Sequence, residues 1–219
     1  MADKKIQIFK AERADAPLVI LHCYGDEGEK VYRAVKDITD KDFSLAAISG
    51  LDWNKDMSPW SSKAVFEGEK DFEGGADAYI EELEGKILPD ILSQLSGEPS
   101  AKYIAGYSMA GLFSLYSLYK THIFDGAASC SGSLWYPDFR EYCETRELKL
   151  GARIYMSLGD KESHTRNPVM ATVEENTKAI YEMYRSKGID TIFEMNQGNH
   201  FTEPDKRTAK GIAWLIGGR

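Results

Sequence analysis

The chain contains 219 residues with a formal net charge of −8, and 42% of its residues are hydrophobic. This length fits one large domain better than two small ones, so we expect a single domain over residues 1–219. The composition is that of a globular protein and excludes a disordered or collagen-like chain. The acidic balance, without a basic cluster, argues against a nucleic-acid partner.

Targeting and redox signals are also weak. No apolar run approaches the roughly 20 residues that a membrane-spanning helix needs, and the polar start Met1–Lys5 lacks the apolar core of a signal peptide. Cys23, Cys130 and Cys143 are an odd number of cysteines in a long chain, which does not suggest a disulfide framework. We therefore expect a cytoplasmic protein with no membrane partner. The sequence leaves the oligomeric state open between a monomer and a homo-oligomer.

Short apolar segments alternate along the chain with longer segments of helical periodicity. The predicted strands are Ile6–Lys10, Leu18–Cys23, Phe43–Ser49, Lys102–Ala105, Gly126–Ser131, Arg153–Leu158 and Thr191–Met195. The predicted helices are Val31–Asp37, Ala76–Leu95, Ala110–Lys120, Val169–Lys187 and Lys206–Ile216. Nearly continuous apolar strands are typical of parallel strands buried on both faces. The alternation predicts an α/β fold with a mostly parallel sheet of about seven strands flanked by helices.

Two features interrupt this pattern. Pro89 lies late in the second predicted helix and should kink or end it. Residues 50–75 form a long segment of charges, glycines and aromatic residues, among them Trp53 and Trp60. Loops of this length inside a compact domain are usually functional or disordered, and the aromatic residues argue against disorder.

A strand, a tight turn and a helix follow one another in Lys102–Lys120, where the turn reads Gly-Tyr-Ser-Met-Ala-Gly. A nucleophile elbow needs this setting, with small residues two positions before and after its serine, and Gly106 and Ala110 meet that need. Ser108 is therefore the candidate nucleophile. The amide of Met109, at the helix N-terminus, is a candidate oxyanion donor. A serine that only caps the helix is the structural alternative.

A serine needs a base, and in this architecture an acid and then a histidine follow it along the chain. His200 lies on a glycine-containing loop after the last predicted strand and is the candidate base, in preference to His22. Two carboxylates, Asp160 and Glu162, follow the strand before it. We favour Glu162 as the acid, because loops of this kind usually read Gly-x-x-acid. Asp160, the runner-up, could instead cap the loop backbone.

The second oxyanion donor is expected in the loop after the second predicted strand. That loop reads His22-Cys23-Tyr24-Gly25, a variant of a His-Gly-x-Gly loop in which Cys23 replaces the first glycine. By that spacing the amide of Tyr24 is the donor, and a plain turn is the alternative. Cys23 is a rival nucleophile, but no base is placed for it beyond the adjacent His22.

Together these motifs resemble those of the α/β-hydrolase superfamily, and within it the group that includes esterase D, feruloyl and acetyl-xylan esterases and enterochelin-esterase-like proteins. The motif segments are His22–Gly25, Gly106–Gly111, Ser131–Trp135, Gly159–Glu162 and Gly198–Phe201. The resemblance spans almost the whole chain, although Ala110 stands where the usual pattern has glycine. It implies hydrolysis through an acyl-enzyme, in which Ser108 attacks, His200 transfers the proton and Glu162 orients His200.

The pocket of such an enzyme should lie at the C-terminal ends of the strands. Trp53, Trp60 and Trp135 are candidate substrate-binding residues, with an ordinary place in the core as the alternative for each. No metal-ligand spacing and no nucleotide-binding glycine motif occurs, so we predict neither a metal nor a cofactor. The leading hypothesis is a serine esterase acting on a small-molecule ester. An acyltransferase with the same triad and a non-catalytic binding protein on a hydrolase scaffold remain as alternatives.

Overall fold

The computed structural model describes residues 4–148 and 151–217. Its strands are β1 (Lys5–Phe9), β2 (Leu18–His22), β3 (Ser44–Ser49), β4 (Ser61–Ser62), β5 (Phe72–Glu73), β6 (Lys102–Tyr107), β7 (Gly126–Cys130), β8 (Arg153–Gly159) and β9 (Asp190–Asn196). Its α-helices are α1 (Gly28–Lys36), α2 (Trp53–Asp56), α3 (Ala76–Glu82), α4 (Leu88–Ser93), α5 (Met109–Lys120), α6 (Phe139–Thr145), α7 (Val173–Ser186) and α8 (Pro204–Ile216).

Seven strands form one sheet in the order β1-β3-β2-β6-β7-β8-β9. β1 pairs with β3 in the antiparallel direction, and the other neighbouring pairs are parallel. Every residue of β2, β7 and β8 is buried, as is typical of parallel strands covered on both faces. The predicted α/β fold with a mostly parallel, seven-stranded sheet is confirmed.

Helices cover both faces of this sheet. Successive residues of a strand point to opposite faces, so each strand contributes to two layers of core. On one face, Val19 belongs to a cluster with Val31 of α1 and Ile212 of α8. On the other face, Ile20 belongs to a cluster with Phe113 of α5 and with residues of α3 and α7. Among the described residues, no helix has both the length and the apolar character that crossing a bilayer requires.

The helix that contains Pro89 is interrupted just before the proline but does not end there. Residues Leu83–Ile87 form a π-helical turn between α3 and α4, and Pro89 lies in the first turn of α4. A proline ring crowds the carbonyl four residues earlier in a regular α-helix. The wider π-turn changes the hydrogen-bond spacing just before the proline, so the helical segment continues past it.

Residues 50–75 also have more structure than expected. They contain the short helix α2 and the two-stranded ribbon of β4 and β5. Gly74 allows this ribbon to close, because its φ is +76° and a Cβ there would lie 2.5 Å from the backbone of Trp60 and Ser61. Helix α6 was not predicted either, since only Phe139 and Cys143 of its residues are buried and no clear periodicity results.

Candidate active site

Ser108 lies at the sharp turn between β6 and α5, with φ 58° and ψ −124°. A non-glycine residue pays about 1–3 kcal/mol for such a backbone, which persists only where its surroundings enforce it. Here the Ser108 N–H donates to Cys130 O (3.2 Å), and the Ser133 N–H donates to Ser108 O (3.0 Å). A Cβ at Gly106 would lie 2.5 Å from atoms of Ala110, so only glycine fits at that position. The predicted elbow is therefore present in geometry.

His200 approaches Ser108 from the loop that follows β9. Its Nε2 lies 3.1 Å from Ser108 Oγ, inside hydrogen-bonding distance. Gly198 turns this loop with a φ of +107°, and a Cβ there would overlap the side chain of Thr202. His22, the other histidine near the site, is fully buried and its Nε2 is 3.0 Å from the hydroxyl of Tyr79. Burial lowers the pKa of His22 to about 3.

The carboxylate of Glu162 is 3% exposed and joins His200 to the protein interior. Its Oε2 is 2.7 Å from His200 Nδ1. Its Oε1 accepts hydrogen bonds from Ser131 Oγ (2.7 Å), the Gly159 N–H (2.7 Å) and Arg207 Nη1 (3.0 Å). Burial opposes ionisation of this carboxyl, but the hydrogen bonds from His200, Ser131 and Gly159 outweigh it and lower the pKa of Glu162.

Asp160 has a different task. Its Oδ1 accepts the Gly198 N–H at 2.8 Å, so the carboxylate braces the loop that carries His200. We expected Asp160 to cap its own loop; it holds the neighbouring loop instead. The reason is that β8 and β9 are parallel neighbours, with Gly159 opposite Asn196, so the two loops leave the sheet side by side.

The two predicted oxyanion donors lie on different segments: Tyr24 in the loop after β2, and Met109 at the start of α5. Met109 is the first residue of α5, where N–H groups have no acceptor within the helix. Tyr24 follows Cys23, whose N–H makes the last sheet-like bond of this segment, to Ile48 O at 2.8 Å.

Cys23, the rival nucleophile, has an unreactive thiol. Burial, together with the charge of Glu27, raises the pKa of the Cys23 thiol to about 12, so this thiol is protonated at neutral pH.

A pocket of about 350 Å³ opens over Ser108. Apolar and aromatic side chains form most of its wall, and two large aromatic residues at its edge, Tyr24 and Phe201, are 77% and 85% exposed. The wall residues include Leu21, Cys23, Tyr24, Val31, Trp53, Tyr107, Phe201 and Pro204. Pockets that are mainly apolar with a few polar groups are the usual form of small-molecule sites.

The three predicted tryptophans separate in the structure. Trp53 lines this pocket and contacts Tyr24 edge to face, with 5.4 Å between ring centroids. Trp60 and Trp135, the other two predicted substrate-binding residues, are not among the residues that line this pocket. Trp60, directly before β4, lies within an aromatic cluster that includes Tyr116 of α5 and Tyr142 of α6. Trp135 is 9% exposed and lines a separate surface cavity.

Several residues of the site were missed by the sequence analysis. Ser133 Oγ lies 3.3 Å from Ser108 Oγ, and Arg207 and Ser131 surround Glu162 as described above. One signal for Arg207 was available: it lies four residues before Gly211 on the buried stripe of α8, where a charged side chain is unexpected. The described part of the chain holds no group of three or more His, Cys, Asp or Glu that could bind a metal ion.

Comparisons with known proteins identify the family and similar folds. A family model described as "Putative esterase" matches residues 22–203. An IroE-like serine hydrolase from Shewanella oneidensis is similar in structure, with a TM-score of 0.78, 18% identity, and coverage of 98% of this chain and 76% of that one. The siderophore hydrolase EstA from Aspergillus nidulans gives a TM-score of 0.75, 16% identity, and coverage of 98% and 90%.

A sequence relative is also known. The uncharacterized protein YbbA of Bacillus subtilis (strain 168) is 26% identical over 171 residues, which are 74% of this chain and 68% of that protein. The structural neighbours show the fold, and the family model covers most of the chain. The protein therefore belongs to this esterase family of the α/β-hydrolase superfamily and is a carboxylic ester hydrolase.

Proposed function

We propose that the protein hydrolyses a carboxylic ester of a small or acylated soluble substrate through an acyl-enzyme on Ser108. The observation that carries this proposal is the continuous path from Ser108 Oγ to His200 Nε2 (3.1 Å) and from His200 Nδ1 to Glu162 Oε2 (2.7 Å). A nucleophile, a base and a carboxylate that orients the base are what acyl transfer at neutral pH requires.

In the first half of the reaction, Ser108 Oγ attacks the ester carbonyl carbon while its proton moves to His200 Nε2. The carbonyl π electrons move to oxygen, and the amides of Tyr24 and Met109 are the proposed donors to that oxyanion. The buried carboxylate of Glu162 stabilises the imidazolium and holds its tautomer. When the tetrahedral intermediate collapses, the C–O bond to the alcohol breaks and the alkoxide takes the proton from Nε2.

In the second half, water replaces the alcohol. The water oxygen attacks the acyl carbon while His200 removes a proton from that water. The bond between the acyl carbon and Ser108 Oγ then breaks, Oγ takes the proton from His200, and the carboxylic acid leaves. Acyl transfer to an alcohol or sugar would use the same steps with a different acceptor. Product analysis with and without an added alcohol separates the two reactions.

Labelling with a fluorophosphonate probe tests the nucleophile. We expect one adduct, located on Ser108 by mass spectrometry of the digested protein, and no adduct in Ser108→Ala. A Cys23→Ser variant is the matched control, because Cys23 lines the same pocket and should not affect labelling. An adduct on Cys23, or undiminished labelling of Ser108→Ala, contradicts the proposal.

The substrate is then sought with a panel of esters. Short-chain aryl esters, feruloyl esters and siderophore esters cover the range, the last because a structural neighbour is described as a siderophore hydrolase. Each ester is measured against the Ser108→Ala protein as the blank.

We also propose a cytoplasmic location, supported by the free and buried thiols of Cys23, Cys130 and Cys143.

A further inference from the structure

Arg207, in the first turns of α8, is 2% exposed and contacts every segment that builds the proposed triad. Its Nη1 donates to Glu162 Oε1 (3.0 Å) and its Nη2 donates to Gln197 O (3.0 Å), on the loop that carries the histidine. Nη1 also lies 3.2 Å from the hydroxyls of Tyr107 and Ser131. Tyr107 directly precedes the nucleophile, so one planar side chain joins three loops that are far apart in sequence.

A second path runs from Arg207 to the histidine through Tyr107. The Tyr107 hydroxyl donates to the backbone carbonyl of His200 at 2.8 Å and accepts from Arg207 Nη1. Burial raises the pKa of Tyr107 to about 12, so this hydroxyl keeps its proton and remains a donor at neutral pH. The main chain of the base is thereby tied to the same guanidinium as the side chain of the acid.

These contacts give the two oxygens of Glu162 different roles. Oε1 accepts three hydrogen bonds, including the one from Arg207, and Oε2 is left to His200. Arg207 has a rigid fork of donors, which can hold a carboxylate and a backbone carbonyl at the same time; a lysine ammonium is a point charge without that fork. The guanidinium also opposes part of the negative charge that the carboxylate presents to the imidazole.

We propose that Arg207 is a positioning residue for the acid and the base, an inference that rests on the proposed esterase mechanism. It fixes Glu162 with Oε2 toward His200, and it holds the His200 loop to the same guanidinium through Gln197 O. Arg207 does not belong to the wall of the Ser108 pocket, so substrate binding should not depend on it.

Two substitutions test this positioning. In Arg207→Met, kcat should fall about 100-fold because the triad loses its alignment. In Arg207→Lys, kcat should fall by about tenfold, because a lysine can bond to the carboxylate but lacks the fork that also holds the carbonyl. KM should change by less than about twofold in both variants.

Arg153→Met is the matched control. Arg153 is also a buried arginine, 9% exposed, that pairs with a carboxylate, Asp190 (3.0 Å), and a backbone carbonyl, Leu215 O (2.9 Å). It lies at the start of β8, at the other end of the sheet from Glu162. We expect a similar loss of thermal stability in Arg153→Met, with kcat per active site unchanged.

Active sites are counted with the fluorophosphonate probe, so that kcat refers to folded protein. The proposal is overturned if Arg207→Met loses stability but keeps the wild-type kcat per site. If Arg207→Met does not fold, Arg207→Lys decides: an unchanged kcat per site overturns the proposal, and a tenfold loss at unchanged KM supports it. These outcomes are distinct from failure of the esterase mechanism itself, which full hydrolysis by Ser108→Ala would reveal.

Discussion

On one side of Ser108, the carboxylate of Glu162 is 3% exposed and accepts hydrogen bonds from two side chains, a backbone amide and the histidine. On the other side, Tyr24 and Phe201 are 77% and 85% exposed. The Tyr24 ring contacts Trp53 edge to face, and the Phe201 ring contacts His200 in the same way. The acid side is thus fixed by many mutual contacts, and the substrate side by few.

This difference matches the two demands on an enzyme of this kind. Proton transfer tolerates little displacement, because a misplacement of about 1 Å can reduce the rate 100-fold. Each contact to an acyl or alcohol group contributes less free energy, and a small displacement of such a contact costs less activity. Substitutions on the acid side should therefore lower kcat, and substitutions of the exposed aromatic residues should raise KM.

The largest effect is expected where the two sides meet. Ser108→Ala should lower kcat by a factor on the order of 10⁴–10⁶, His200→Ala by a similar factor, and the double variant no further, because the two groups act as a unit. Steady-state kinetics on variants with a wild-type circular dichroism spectrum provide the measurement. Multiplying effects in the double variant would mean that the residues act separately.

The next effect separates the two carboxylates on the acid side. Glu162→Gln should lower kcat by a factor on the order of 10⁴, because the amide favours the wrong tautomer of His200. Asp160→Asn should cost less than about tenfold, since Asp160 only braces the loop through the Gly198 N–H. If Asp160→Asn has the large loss of kcat and Glu162→Gln keeps a kcat near the wild-type value, Glu162 is not the acid.

A smaller effect concerns stability on the substrate side, where His22 is buried under the pocket. Its pKa is lowered from 6.5 to about 3, so the unfolded chain binds a proton below pH 6.5 that the folded protein does not bind. The free energy of unfolding should therefore fall as the pH falls through this window, by about 1.4 kcal/mol per pH unit. Between pH 6.5 and pH 5 this amounts to about 2 kcal/mol.

Urea unfolding at these two pH values checks this expectation with His22→Gln. The glutamine can still bond to the Tyr79 hydroxyl but has no proton to bind, so the variant should lose about 2 kcal/mol less than the wild type over this range. The lowered pKa of Glu162 has the same sign but acts below its usual value of 4.5, outside this window. Equal losses in both proteins would exclude His22 as the source.

The smallest effect is expected at the exposed aromatic residues. Phe201→Ala and Tyr24→Ala should each raise KM by about two- to tenfold with little change in kcat, because one aromatic contact contributes about 0.5–1.5 kcal/mol. The Tyr24 amide, the proposed oxyanion donor, is retained in the variant. Phe66→Ala is the control, since Phe66 is 48% exposed and is not part of the pocket wall. A fall in kcat without a rise in KM would place these residues in the chemistry instead.

The sequence patterns predicted the sheet from periodicity, and they predicted the contact of Ser108, His200 and Glu162 because each lies in a motif just after a parallel strand. Strand and helix periodicity is local, and parallel strands bring the loops after them to one edge. The direction of Trp60 was not predictable in this way, since it depends on how the segment before β4 packs against α5 and α6. Arg207 was missed because it belongs to no motif at the end of a strand: it lies on α8, and only the packing of that helix brings it to Glu162 and Tyr107.

Helix α8 is held at both of its ends by buried guanidinium groups: Arg207 in its first turns, and Arg153, which donates to Leu215 O at 2.9 Å near its last turn. Partial fraying of this helix would break a buried charge-assisted contact at either end, so α8 should open only together with the sheet. Its amide hydrogens then belong to the slowest-exchanging group in the molecule. The loop that carries His200 is therefore anchored where α8 begins. We expect the proposed triad to persist until the whole domain unfolds.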